Sequence, residues 1–207
     1  MKADTHPTRE RSLDAAEELF AQRGFAGVSV RQIRNQADAD VSLAYYHFKS
    51  KQDLFEQVML RRVEYINEIR LKALDEVESR HGDDAPTVEE IIGAFTTPLL
   101  QQLVDDHDKW SHYYQLIAQI NNSPEMGGQL MSRYFDPLGS RFIDALKRAL
   151  PDSDPADLYW SYHFLSGALT LTFAETGRVD NLSDGACRST DIAAVSERMP
   201  KFLAAGF

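Results

Sequence analysis

Apolar positions recur every three or four residues along most of the chain, and turn residues cut it into helix-length pieces. Residues 8–23 carry Leu13, Ala16, Leu19 and Phe20 on one helical face, and Gly24 stops the run. Ser29 stands three residues before Gln32, the spacing of a capping box, ahead of a short helix with Val30, Ile33 and Ala37 on one side. Asp40 is placed to cap a second short helix over 41–48. Ser50 and Asp53 open a long helix whose apolar residues Leu54, Val58, Tyr65, Ile69 and Leu74 keep helical spacing to about Arg80. Thr87 with Glu90 starts the next, which reaches about Val104 with Pro98 as an expected kink. Asp108 opens a helix through Trp110, Tyr113, Tyr114, Ile117 and Ile120. Ser123-Pro124 and Asp154-Pro155 each pair a cap with a proline at the first helical position. The helices behind them reach about Leu150, with Pro137 inside, and about Thr176. Residues 177–189 read as a polar loop, and a last helix spans about 190–205.

No segment alternates with the period of a strand, so the expected fold is all-α with about nine helices. Three short helices make an amino-terminal unit, and longer ones fill the rest. The boundary falls near Lys49–Lys51, which gives domains 1–52 and 53–207, with the long fourth helix shared between them.

Two short helices joined by a tight turn, behind a first helix that covers them, describe a helix-turn-helix unit. Here the pair is 30–37 and 41–48, linked by Asp38-Ala39-Asp40. In the second helix Ser42, Tyr45, Tyr46 and His47 can donate and accept hydrogen bonds in a groove of DNA, while Leu43 or Ala44, with Phe48, face inward. Lys49 and Lys51 follow at the amino end of the next helix, where backbone N–H groups and a lysine together clamp a phosphate. Plainer readings stand beside these: half-buried packing for Tyr46, a solvated surface for His47, and an ion pair with a neighbouring carboxylate for Arg31.

Residues 13–25, Leu-Asp-Ala-Ala-Glu-Glu-Leu-Phe-Ala-Gln-Arg-Gly-Phe, resemble the first helix of TetR-family repressors. Ser29-Val30-Arg31-Gln32-Ile33 resembles their second helix, and residues 45–54 resemble the end of their recognition helix and its exit. The resemblance runs without a break over roughly 8–58. It implies that Arg31, Val41, Ser42 and Tyr45 lie at or near base edges, and that Ser29, Tyr46, His47 and Lys51 bind phosphates. Two positions depart from the family pattern. Asp38 stands where the family usually has Gly at a left-handed turn, a conformation Asp tolerates better than most residues. Asp40 replaces the usual Ser, Thr or Asn cap, which keeps the cap but adds negative charge near DNA.

The helix over 158–176 is apolar around most of its circumference, through Tyr159, Trp160, Tyr162, Phe164, Leu165, Leu169, Leu171 and Phe173. It is either a deeply buried core helix or one that packs on a second copy of the chain. Gly167 and Ala168 permit close approach, and Phe202 on the last helix can add to the contact. In the family the last two long helices form a four-helix bundle across a two-fold axis. The implied dimer contacts are therefore Tyr159, Tyr162, Gly167, Leu169 and Phe202, and the implied DNA sites are palindromic half-sites about one turn, roughly 34 Å, apart. Trp110, Tyr113, Tyr114, Ile117, Tyr134 and Phe135 can line an apolar ligand cavity with Tyr162 and His163 as polar anchors, although aromatic stripes at helical spacing are most often core and His163 reads equally as a satisfied core histidine. Residues 158–168 and 200–206 also resemble the branch of the family that includes fatty-acid-responsive regulators, which implies a fatty acid or acyl compound as effector.

The chain of 207 residues carries 22 basic and 32 acidic side chains, a net charge of −10 that on its face argues against a nucleic-acid partner. The division of that charge changes the picture. Residues 1–52 hold eight basic and seven acidic groups, a net of +1, and residues 53–207 hold 14 and 25, a net of −11. Acidity belongs to the larger part, and the DNA-binding head places its basic groups singly. One cysteine, Cys187, excludes an intramolecular disulfide and any multi-cysteine metal site. Arg188 beside it is the one feature suggesting a reactive thiol. Residues 105–108 with His112 have poor metal-ligand spacing, and no phosphate loop or nucleophile elbow is present. No enzyme activity, cofactor or metal is expected. Residues 1–12 are polar and no apolar run is long enough to span a bilayer, so a cytoplasmic protein is expected. The reading is a ligand-responsive repressor acting as a homodimer. The alternative is a dimeric ligand-binding or adaptor protein whose DNA contacts are weakened by Asp38 and Asp40.

Overall fold

The computed structural model describes residues 5–38, 48–124 and 126–207. Among them are nine α-helices and no strand: α1 (Thr5–Arg23), α2 (Val30–Gln36), α3 (Lys51–His81), α4 (Val88–Asp105), α5 (His107–Asn121), α6 (Gly127–Ala149), α7 (Pro155–Phe173), α8 (Arg178–Leu182) and α9 (Ile192–Ala204). Of the helix expected over 41–48, residues 41–47 lie outside the described residues, and Phe48 is buried as expected. The chain divides into two compact units, Met1–Glu64 and Tyr65–Phe207, and α3 contributes residues to both.

In the first unit, Leu13, Ala16, Leu19 and Phe20 of α1 are buried with Ile33 of α2 and with Leu54, Phe55 and Val58 of α3. Phe20 and Phe25 meet the Phe55 ring edge-on, with centroids 5.1 and 5.0 Å away. Burying these aromatic faces together is worth more than their area alone. The turn after α1 needs its glycines. Gly24 has φ 68°, and a Cβ on Gly27 would lie 2.3 Å from the Arg23 carbonyl oxygen. α2 opens with the expected capping box: Ser29 Oγ accepts the Gln32 N–H, and the Gln32 side chain accepts the Ser29 N–H at 2.8 Å.

In the second unit α9 packs on α4, α5 packs on α7, and α6 lies against α4, α5 and α7. Thr87 and Glu90 form the second expected capping box, at the start of α4. Asp154 caps α7 with Pro155 in the first turn. α4, α6 and α9 run through Pro98, Pro137 and Pro200. Four local expectations change. Ser123-Pro124 does not open α6, which begins at Gly127 behind Met126 with no side-chain cap. The residue capping α5 is Asp106, whose side chain accepts the Lys109 N–H, so the helix begins one residue before Asp108. The loop over 177–189 contains the short helix α8, held by the Ser189 N–H donating to Asp180 at 2.6 Å. The buried stripe in the second half of α3 is Val63, Ile66, Arg70, Leu74 and Val77, not Tyr65 and Ile69. An arginine occupies one position of that stripe. A hydrophobic-only reading therefore loses its phase there and settles on a neighbouring set.

Candidate nucleic-acid interface and regulatory core

The amino-terminal unit builds its candidate interface around the turn after α2. The backbone at Asp38 is left-handed, φ 46°, as its place in the motif requires. Arg11 Nε donates to the Ala37 carbonyl at 3.2 Å and so satisfies an acceptor at the carboxyl end of α2. Ser29 and Arg31 are exposed. Lys51 stands at the first residue of α3, its ammonium 4.2 Å from the centroid of the Phe25 ring. Just ahead of it, Ser50 Oγ accepts the Asp53 N–H and the Asp53 carboxylate accepts the Lys49 N–H. The Gln57 side chain and the Lys49 N–H together hold the Asp53 carboxyl below the usual range. Exposed Ser29 and Arg31 and half-buried Lys51 thus stand on the described part of the unit. Val41, Ser42, Tyr45, Tyr46 and His47 lie outside the described residues.

A buried ionic brace fixes α1 against the start of α3. Glu17 is buried, and its carboxylate accepts from Arg61 at 2.8 Å and from Arg62 at 3.0 Å. Arg61 also reaches Asp14 at 2.6 Å. Burial alone would make the Arg61 guanidinium easier to deprotonate, but Glu17 and Asp14 more than reverse this and raise its pKa. Sequence reading missed this brace. Glu17 and Glu18 are adjacent acids on one helix, and only the 44-residue separation between Glu17 and Arg61 closed by the fold distinguishes them.

The second unit gathers most of the residues expected to line a ligand cavity. Trp110, Tyr113, Tyr114, Ile117 and Phe135 are buried, and Tyr134 is half-buried. Trp110 stacks on Tyr114 at 5.8 Å, and Tyr114 stacks on Phe173 at 4.4 Å. His163 is not part of this cluster. It is exposed on α7, edge-on to Trp160 and beside Phe164.

At the centre of the cluster sits a residue the sequence did not single out. Arg70 is 3 % exposed, and its guanidinium lies over the rings of Phe95 and Phe135, 4.9 and 5.7 Å from their centroids. Nε donates to the Ile66 carbonyl at 3.0 Å and Nη2 to the Asn67 side chain at 2.6 Å. Burial pushes its pKa down to about 10, against the pull of the Tyr162, Tyr114 and Tyr113 phenols. Nearby, the Tyr114 hydroxyl donates to Gln102 Oε1, while the buried Gln102 Nε2 has no hydrogen-bond partner among the described residues. The available signal for Arg70 was its register, four residues after Ile66 and four before Leu74 on an apolar stripe.

The residues expected at a dimer interface divide between two sides of α7. Leu169 is buried, and Tyr162 turns its hydroxyl toward Gly139, where a Cβ would lie 2.7 Å away. Tyr159 and Gly167 are on the open side, with Trp160, Phe164 and Leu171, each more than half exposed except the glycine, whose exposure carries no side chain. Phe202 of α9 is 78 % exposed. Between α7, α8 and α9 runs an open groove of about 790 Å³, edged by Leu171, Leu182, Val195 and Phe202 and by Arg178, Arg188 and Arg198. The exposed Cys187 borders the same groove. His107 pairs with Glu175 at 2.8 Å, and no group of three or more His, Cys, Asp or Glu able to hold a metal occurs among the described residues. No described helix is long and apolar enough to cross a membrane.

Comparison with known proteins follows the same two units. Residues 13–58 match the bacterial regulatory proteins of the tetR family. Residues 93–206 match the tetracyclin repressor-like C-terminal domain. The HTH-type transcriptional regulator AcrR of Shigella flexneri is 34% identical over 71 residues, which cover 34% of this chain and 33% of that protein. The negative transcriptional regulator of the biofilm operon icaADBC, IcaR of Staphylococcus aureus (strain Newman), is 24% identical over 117 residues, 56% of this chain and 55% of that one. The chain thus spans about a third of AcrR and just over half of IcaR. In fold, the crystal structure of a tetR-family regulatory protein from Rhodococcus RHA1 matches with a TM-score of 0.66 at 16% identity, over 96% of each chain. The carboxyl-terminal match alone takes in more than half of the sequence and the helix-turn-helix match covers its other unit, so this chain belongs to the TetR family of bacterial regulatory proteins.

Proposed function

We propose that the protein is a DNA-binding transcriptional repressor that acts as a homodimer and leaves its operator when a small apolar or amphipathic molecule binds. The observation that carries this reading is the turn of the amino-terminal unit. A capped α2, a left-handed Asp38 and a lysine at the first residue of α3 stand within the segment that matches the tetR family. Residues 1–52 hold the DNA contacts. Arg31, Val41, Ser42 and Tyr45 read base edges, and Ser29, Tyr46, His47 and Lys51 hold phosphates. Residues 53–207 bind the effector and the second copy. The open side of α7, with Tyr159 and Phe164, and Phe202 of α9 supply apolar area of the kind a two-fold interface buries. The effector lodges in the aromatic core around Trp110, Tyr114 and Phe135, and acyl compounds are the first class to test. It lowers DNA affinity because it prefers the form of the dimer that does not fit the operator. Such a protein works in the cytoplasm and needs no catalytic step.

A band-shift titration at two salt concentrations tests the reading. Lys51→Ala weakens binding to every DNA sequence and reduces the salt dependence, since one phosphate contact is lost. Arg31→Ala instead relaxes the choice among sequences. Equal binding of all duplexes by the unmodified protein contradicts the proposal.

A further inference from the structure

Among the described residues, Arg70 is a buried cation with no buried anion beside it. No described carboxylate is among the groups that act on it; those groups are the phenols of Tyr162, Tyr114 and Tyr113. Its side-chain hydrogen bonds among the described residues run from Nε to the Ile66 carbonyl and from Nη2 to Asn67, neither of them a charged acceptor. A charge removed from water without a counter-charge is strongly unfavourable, and such groups persist where they serve a ligand. A second polar group points the same way. Gln102, 8 % exposed, spends its oxygen on the Tyr114 hydroxyl and leaves its Nε2 donor unused. Buried donors without acceptors are rare in folded proteins. Tyr114 connects the two, since it bonds Gln102 and acts on Arg70. The surroundings are aromatic, with Phe95 and Phe135 against the guanidinium.

We propose that Arg70 and Gln102 together receive the carboxylate of an otherwise apolar molecule, which is the effector of the carboxyl-terminal unit. The inference rests on the regulator reading above and names the chemistry of its ligand. The charge balance selects a monoanion: one guanidinium neutralises one carboxylate, whereas a phosphate dianion would leave a net negative charge buried. The planar guanidinium matches a carboxylate, and the Gln102 amide supplies a further donor. The aromatic rings accept the apolar body. An aliphatic and an aromatic acid share this chemistry, and the test separates them.

The experiment is calorimetric titration of the full chain, without DNA, with four probes: octanoate, octan-1-ol, phenylacetate and 2-phenylethanol. At least one acid binds about tenfold or more tightly than its matched alcohol, and which acid does so identifies the apolar body. Arg70→Met removes the preference for the acid, and Gln102→Leu reduces it severalfold. The methionine variant keeps its melting temperature, because an apolar side chain of similar volume replaces a buried charge without a penalty. Should that variant fail to fold, the unmodified chain and Gln102→Leu still decide the matter. Equal binding of acid and alcohol in both pairs, binding of neither acid, or an unchanged acid preference in both variants overturns the proposal. Band shifts on the same preparation keep the two readings apart. Sequence-selective DNA binding without an acid preference sinks this inference alone, and an acid preference without DNA binding sinks the regulator reading alone.

Discussion

Glu17 lies among the apolar side chains of α1, and both Arg61 and Arg62 reach its carboxylate. Its carboxylate ties the first helix to the third through charge-assisted bonds. Glu17→Ala would remove the one carboxylate that Arg61 and Arg62 share and leave Arg61 to Asp14 at the surface. The expected loss is about 2–3 kcal/mol of stability, less than a fully buried pair because both arginines keep some contact with water. Urea unfolding of the full chain measures it, with Glu18→Ala as the exposed neighbour that changes little. Residues of this kind were the least legible in the sequence. Glu17 and Arg70 look like ordinary surface charges until the fold surrounds them, since nothing local separates a buried charge from a solvated one. Asp38 was legible, because a left-handed turn has few residues to choose from and its position in the motif demanded one.

At the scale of elements, the capping signals carried most of the information. Ser29 with Gln32, Thr87 with Glu90 and Asp154 with Pro155 all begin helices where their spacing placed them. A cap is a local interaction, so sequence alone can mark it. The misplacement of the α5 cap from Asp106 to Asp108 arose where three aspartates crowd one turn, and only the Lys109 N–H decides among them. Helix α8 escaped notice because its five residues bury nothing. The box at α4 also predicts a pH response. The Glu90 carboxyl is pushed down to about 2 by the hydrogen bond from His81 and those from the Thr87 N–H and hydroxyl. Its folded pKa lies below its unfolded one. The stability it contributes is therefore complete above the ordinary glutamate range and is lost as pH falls toward about 2. Melting temperatures followed down through that window should fall less steeply for Glu90→Gln than for the unmodified chain. Parallel curves would show that the box contributes nothing there.

For the whole molecule, the open side of α7 is the feature that a single chain leaves unexplained. The sequence showed a helix apolar nearly all round, and the structure divides it. Leu158, Leu165, Leu169 and Phe173 are buried, and Tyr159, Trp160, Phe164 and Leu171 face outward. Which half turned inward could not be read from the sequence, because both halves are apolar. A second copy seated on this face accounts for it, and Phe164→Glu should then convert a dimer to a monomer in sedimentation velocity while the helical content stays constant. A monomer without the substitution would contradict the assignment. The division of charge belongs to this scale as well. A net of +1 over residues 1–52 and −11 over 53–207 leaves the DNA contacts few and individually placed, so their loss should be readily switched.

Selection from a random pool of duplexes by the whole chain decides whether the dimer binds DNA sequence-selectively. An inverted repeat with half-sites about one helical turn apart is enriched, and Arg31→Ala, which removes a base contact and not a phosphate contact, loses that enrichment. A pool that emerges with no sequence in excess would contradict sequence-selective binding.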